Sequence, residues 1–340
     1  MKIVKGYSFD DVLLVPKKSD IPSRNLPLDV KLPKGFSVKI PIVSANMKTV
    51  TEVFMAQSIA RQGGMALLHR FDTTKNLLKN YLDSILAFSR DIESRQNIGV
   101  SLGIKDEDMS LAKEYIDLGC KLFCVDVAHG HHTMVISFIE KLRSNYPDIL
   151  IIAGNVATPE GAKDLWNAGA DIIKIGVGPG SICSTRVETG NGYPQLSALD
   201  LICNTYYNPR NDEQPMFIAD GGIRFAGDCV KSLCFADLVM IGNLFAGTDE
   251  SPGKVVSFHD KKYKEYAGSS THKSSRVEGV VGLVPYRGSV EGIIKKLCEG
   301  IQSGMSYQGA HTLKELKLNP EWVEISGSGL IESHPHDILR

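Results

Sequence analysis

Long apolar runs are what this 340-residue sequence most plainly lacks: none approaches the roughly 18 residues of a membrane-spanning helix, so nothing in it is expected to cross a bilayer. Lysines precede an apolar stretch between Met1 and Lys18, but Asp10 and Asp11 interrupt what would be the hydrophobic part of a signal peptide. An excess of one charge is missing too. With 38 Lys and Arg against 39 Asp and Glu, the formal net charge is -1, which implies neither a nucleic-acid surface nor a membrane-surface patch. Paired Cys-x-x-Cys spacing is absent: the seven cysteines (Cys120, Cys124, Cys183, Cys203, Cys229, Cys234, Cys298) are odd in number and scattered, against a zinc site and for a reducing compartment. The cytoplasm is the expected location.

What is present is a core-forming sequence, 43% hydrophobic and 23% charged, of a length that an α/β barrel reaches as one unit. Short apolar runs alternate with helical patterns from residue 41 onward. The runs are 41–47, 65–68, 98–102, 122–127, 149–153, 172–175, 216–219 and 238–241. Between them, Thr51 to Gln62 repeats apolar residues at helical spacing and stops at Gly63 and Gly64, while Thr158 before Pro159 reads as an N-cap followed by proline at the first helical position. Strands buried on both faces read as continuous apolar runs, and intervening helices demand parallel crossovers, so eight such units predict a closed (β/α)8 barrel over residues 1–340. An open, doubly wound sheet competes, but no Gly-x-Gly-x-x-Gly follows the first strand.

Asn46, His69, Asp126, Asn155, Cys183, Asp220 and Asn243 each stand just after a predicted strand, which in a barrel gathers them around the C-terminal mouth. Two segments break the pattern. Residues 203–214 are polar and read as a surface insertion; residues 249–288 lack helical periodicity and read as a flap over the mouth, simple disorder being the alternative.

The sequence is organised around Ile173 to Arg186, where an apolar run ends in Gly176, Gly178 and Gly180 and Cys183 follows at once. Such a turn lets bare backbone groups close on an ion or phosphate, and a thiol at its rim suggests covalent catalysis. A buried structural cysteine beside a tight turn is the alternative. Asp220-Gly221-Gly222 after the seventh strand and Gly242-Asn243 after the eighth occupy the positions where barrels hold a phosphate, and a carboxylate beside a phosphate cradle suits ribose hydroxyls. Taken singly, the glycines read equally well as turns and Asp220 as a helix cap.

The phrase Gly-Val-Gly-Pro-Gly-Ser-Ile-Cys-Ser-Thr-Arg (176–186), with Ser8 to Leu14 and Ala219 to Arg224, resembles the family of inosine monophosphate dehydrogenase and guanosine monophosphate reductase. The resemblance implies that Cys183 attacks C2 of the purine to form a thioimidate, with Thr185 and Glu278 handling the leaving group. It implies a phosphate on Ser181, Gly222, Gly242, Asn243 and Tyr266, ribose on Asp220, and the base near Ser269 and Ser270. Asn46, Asp126 and Asn155 would face the nicotinamide, and carbonyls of Gly178, Gly180 and Cys183 would hold potassium. A homotetramer is the family habit. Ser184 replaces the threonine usual beside the cysteine, and Asn243 replaces a small residue. His69 is read as structural, and Glu278 alone would read equally well as a solvated loop carboxylate.

The two reactions run hydride in opposite directions. Ser44 to Met47, Thr189 to Gln195 and Glu250 to Gly253 resemble the reductase, which uses NADPH to turn GMP into IMP and ammonia. Residues 269–277 also lack the Arg-Tyr pair with which the dehydrogenase activates water, Arg276 being followed by valine; general-base help of that kind is typically worth ~10²–10⁴ in rate. Residues 325–337, in the C-terminal tail 318–340, instead resemble the dehydrogenase tail that completes a cation site on a neighbouring subunit. GMP reductase is the leading expectation. IMP dehydrogenase with NAD is the runner-up, and a catalytically silent nucleotide-binding protein or a flavin-binding barrel are further alternatives.

Overall fold

The computed structural model describes residues 1, 3–206, 214–268 and 280–336. Eight parallel strands close into a barrel: β1 (Ile42–Ser44), β2 (Met65–Leu68), β3 (Ile98–Leu102), β4 (Leu122–Asp126), β5 (Leu150–Val156), β6 (Ile172–Ile175), β7 (Met216–Asp220) and β8 (Leu238–Ile241). Closure is made by β8 against β1, where Val239, Met240 and Ile241 stand opposite Ile42, Val43 and Ser44. Branched aliphatic residues dominate these strands because they have helices on one side and the barrel interior on the other, which leaves no face for polar alternation. Every residue of β1, β2, β3, β6 and β8 is accordingly buried.

Helices α1 (Val53–Arg61), α2 (Thr74–Leu86), α3 (Asp106–Asp117), α4 (Thr133–Asn145), α5 (Pro159–Asn167), α6 (Gln195–Tyr206), α7 (Ala226–Leu233) and α8 (Val290–Tyr307) follow the eight strands in turn. The predicted start at Thr158 is realised: its hydroxyl accepts from the Gly161 amide at 3.2 Å, and Pro159 opens α5 where a missing N–H costs nothing. Only the short helix Ile92–Gln96 separates α2 from β3, so no further domain interrupts the barrel there. None of the described helices is long and apolar enough to cross a membrane.

The break expected at 203 begins later. Helix α6 runs through Tyr206 because Cys203 continues its apolar face and is buried in the core, while 207–213 lie outside the described residues. The expected flap contains an antiparallel sheet of β9 (Val255–Phe258), β10 (Lys261–Ala267) and β11 (Val281–Pro285). Lys264 anchors it, its buried ammonium donating to the carbonyls of Thr248 and Ser251 at 2.6 and 2.5 Å. At the other end of the chain, Val12–Leu14 pairs antiparallel with Trp322–Glu324, so the tail folds against the start of its own chain and continues into helix Gly327–Glu332.

Candidate active site

The barrel mouth holds one continuous cleft with two lobes, of about 220 and 320 Å³, that share Ala45, Met47, Pro179, Gly180, Asp220, Gly221, Met240 and Tyr266 as walls. Cys183 and Thr185 belong to the smaller lobe, Ser181, Gly222, Gly242 and Asn243 to the larger.

Glycine makes the first lobe possible at its floor. At Gly176, with φ +152°, a Cβ would fall 2.0 Å from the Asp220 carbonyl oxygen, so no other residue lets the ends of β6 and β7 approach this closely. The loop then turns back, the Cys183 amide donating to the Gly180 carbonyl at 3.1 Å, and Thr185 opens the short helix Thr185–Thr189. This tight return places Cys183 Sγ 3.2 Å from Thr185 Oγ1, with the thiol donating while it is protonated. Across the turn, the Val280 amide donates to the Ile182 carbonyl at 3.1 Å, so the described end of the flap rests on the residue before the cysteine.

Six of the seven thiols are chemically quiet. Burial pushes Cys120, Cys124 and Cys234 up to about 12 and Cys298 up to about 11, and raises Cys203 and Cys229 further. Cys183 alone is exposed. A nucleophile must be reachable, and only this thiol is presented to a cleft.

Behind it lies a charged group that sequence reasoning missed. Lys174, in the middle of β6 with its side chain only 2% exposed, donates to Asp126 Oδ1 at 2.7 Å and Asp220 Oδ2 at 3.0 Å. Burial opposes its charge, but the two carboxylates prevail and hold the ammonium well above the ordinary lysine value. The same pairing outweighs burial at Asp126 and keeps its carboxyl below the usual range. The signal was a lysine between isoleucines in a strand buried on both faces, where an unpaired charge is too costly to persist.

The larger lobe gathers several hydrogen-bonding groups that the sequence assigns to a phosphate. Asn243 Nδ2 donates to Ser181 Oγ at 3.2 Å, joining the loops after β6 and β8. Tyr266 is 3% exposed, and burial pushes its phenol up to about 12, against the opposing effect of Ser181, so it stays a neutral hydrogen-bond donor. At Gly242 a Cβ would sit 2.8 Å from the Tyr266 hydroxyl, so glycine keeps that position open. Ser8, Phe9 and Asp10 close the far wall, with Asp10 paired to Arg224 and the Phe9 carbonyl accepting from Lys231 at 2.7 Å.

The remaining expected residues divide. Asn46 is buried and donates to Ser101 Oγ at 2.9 Å. Asn155 Nδ2 gives one hydrogen to the Gly176 carbonyl at 2.9 Å and the other to Asp220 Oδ2 at 2.8 Å, leaving only its side-chain oxygen for a ligand. His69, expected to be structural, is 2% exposed, with Nε2 3.1 Å from Glu52 and Nδ1 accepting from the Phe71 amide. Ser269, Ser270 and Glu278 lie outside the described residues. Arg70, which was not expected, lines the cysteine lobe with its guanidinium 4.7 Å from the Phe71 ring centroid and its Nε buried without a hydrogen-bond partner among the described residues.

Comparison with known proteins places this geometry. The chain is 37% identical to inosine-5'-monophosphate dehydrogenase of Borreliella burgdorferi, over 99% of this chain and 98% of the relative. It is 35% identical to the same enzyme of Cryptosporidium parvum, over 99% of this chain and 96% of that one. Among solved structures it matches a cysteine-to-alanine variant of GMP reductase from Trypanosoma brucei in complex with guanosine 5'-monophosphate, with TM-score 0.91, 28% identity and 99% of both chains covered. The family model described as the IMP dehydrogenase / GMP reductase domain matches residues 6–336, and the chain belongs to that family of oxidoreductases.

Proposed function

We propose that this chain catalyses the NADPH-dependent reductive deamination of GMP to IMP and ammonia. The observation that carries the direction is the sequence of 269–277, where Arg276 is followed by valine and no Arg-Tyr pair is present to activate water. The Trypanosoma brucei neighbour, itself a GMP reductase holding GMP, supports the same substrate here.

In this reading the nucleotide phosphate rests on Ser181, Gly222, Gly242, Asn243 and Tyr266 in the larger lobe, and Asp220 takes the ribose hydroxyls. Ser269 and Ser270 hold the base. Cys183 adds as thiolate to C2, forming a C–S bond. The 2-amino group takes a proton and leaves as ammonia, since an amide ion is too poor a leaving group. Thr185, 3.2 Å from the sulfur, directs that proton with Glu278 as its source. The C–S bond breaks as C2 gains hydride, and the sulfur returns as thiolate. Summed over the cycle, GMP, one hydride and one proton give IMP and ammonia.

The cysteine lobe fits a nicotinamide. Its wall offers Phe71 as an apolar surface, Arg70 and the Asn155 oxygen as polar partners, and Asp126 and Asn46 beside them. When bound, the reduced cofactor is the hydride source for C2. The carbonyls of Gly178, Gly180 and Cys183 are a donor set without carboxylate, which suits a weakly hydrated monovalent cation such as potassium. Assembly as a homotetramer belongs to the same reading.

IMP dehydrogenase is the second reading, favoured by the relatives of that name and by residues 325–337. Absorbance of the reduced nicotinamide separates the two. Oxidation with GMP plus NADPH, and no reduction with IMP plus NAD, is expected; turnover only in the second mixture would reverse the assignment.

A further inference from the structure

Resting on the reading of Asp220 as the ribose carboxylate, we propose that Lys174 is a positioning residue: one buried ammonium that aims the carboxylates of Asp220 and Asp126 into the two sides of the cleft. Asp220 Oδ2 accepts from Lys174 and from Asn155, at 3.0 and 2.8 Å, while Oδ1 accepts from no group among the described residues. One oxygen is thus tied down and the other is presented to a ligand. Asp126 Oδ1 accepts from the same ammonium at 2.7 Å, from β4, which only β5 separates from the strand of Lys174.

Other groups near Lys174 do not compete for this work. Met240 Sδ lies 3.9 Å from the ammonium, and burial keeps the Cys124 thiol protonated. Arg70 and Asn46 act on Asp126, and Tyr266 faces Asp220 from the side of Cys183. No second lysine or arginine forms an ion pair with Asp220 among the described residues. Filling the barrel axis does not require lysine either, because an apolar side chain between Ile173 and Ile175 would pack there without the cost of burying a charge. What lysine adds is the orientation of two acids that would otherwise repel each other across the cleft. Without it, Asp126 loses the pairing that keeps its carboxyl below the usual range, and Asp220 loses one of the two donors that fix Oδ2.

The test is GMP binding by calorimetry without cofactor, for the parent and Lys174→Met, between about pH 6 and 8.5. The variant is expected to bind at least tenfold more weakly, with the ratio to the parent widening toward acid; using the ratio cancels titration of the GMP phosphate itself. A folded Lys174→Met protein with parental affinity and a constant ratio would overturn the proposal. Failure of the parent to bind GMP would instead overturn the assignment of the nucleotide site, and this role with it. Should the variant not fold, the claim is read on the unaltered protein labelled with 15N at lysine Nζ. A solvent-protected ammonium signal, identified by its response to Asp126→Asn, moves when GMP saturates the site. Its absence, or its indifference to GMP, counts against the proposal.

Discussion

Native alkylation should single out one cysteine of seven, and the structure gives the size of the preference. Iodoacetamide reacts with thiolate, so each rate scales with the ionised fraction and with access. At pH 8, a thiol at about 11, as burial makes Cys298, is ionised to about one part in a thousand, and thiols at about 12, such as Cys120, Cys124 and Cys234, to about one part in ten thousand. Those reactions are therefore slowed by ~10² or more relative to an unburied thiol at the ordinary ~8.5, before any steric barrier is counted. Cys183 is exposed at the cleft and meets no such barrier. The expected outcome, by peptide mass mapping at limiting reagent, is one label per chain on Cys183, its loss in Cys183→Ala, and its suppression by saturating GMP. Activity should fall in step with labelling. Modification of Cys298 or a core cysteine ahead of Cys183, or labelling indifferent to GMP, would refute the reasoning from burial to nucleophile.

Three further outcomes are expected. Thr185→Val, which removes the hydroxyl 3.2 Å from the sulfur, should lower kcat by ~10²–10³ while GMP affinity stays within about threefold; a loss of affinity with kcat unchanged would make Thr185 a binding residue only. Cys120, Cys124, Cys203, Cys229 and Cys234 have raised values in the fold, so their contribution is complete below the unfolded value of ~8.5 and is lost as pH rises toward the folded ones. Each of these, and Cys298 with them, should cost about 1.4 kcal/mol per pH unit in that window, seen as a urea midpoint that falls between pH 8 and 10 in reducing buffer and falls about a sixth less steeply in Cys229→Ala. A flat midpoint would contradict it. Replacing potassium by a bulky organic cation should reduce turnover at least tenfold and reversibly, and unchanged turnover would remove the cation from Gly178, Gly180 and Cys183.

The legible part of the site was the part carried by backbone constraint. Gly176 and Gly242 each sit where another chain segment comes too close for a Cβ, and Cys183 is read from the turn that Gly176 begins. The unreadable part depended on partners far apart along the chain. Lys174 was passed over as one polar residue in an apolar run, since its meaning lies in Asp126 and Asp220, 48 and 46 residues away. Asn155 lines the cleft as expected, but that both its amide hydrogens are committed to Gly176 and Asp220, leaving only the side-chain oxygen toward the cleft, was not legible in sequence. The limit of the supposed insertion also moved, because polarity at 204–205 did not reveal that Cys203 and Tyr206 still face the core.

By itself, the sequence determined the eight strands, the helices between them and the barrel mouth as the place where the candidate residues gather. Those follow from local periodicity and from the rule that strands buried on both faces carry no polar alternation. Only the tertiary structure decided which acid is held by which base, which of seven thiols is reachable, and that one ammonium serves two carboxylates. Charge pairing and burial are properties of distance in space, and closing eight strands into a ring makes neighbours of residues that the sequence keeps far apart.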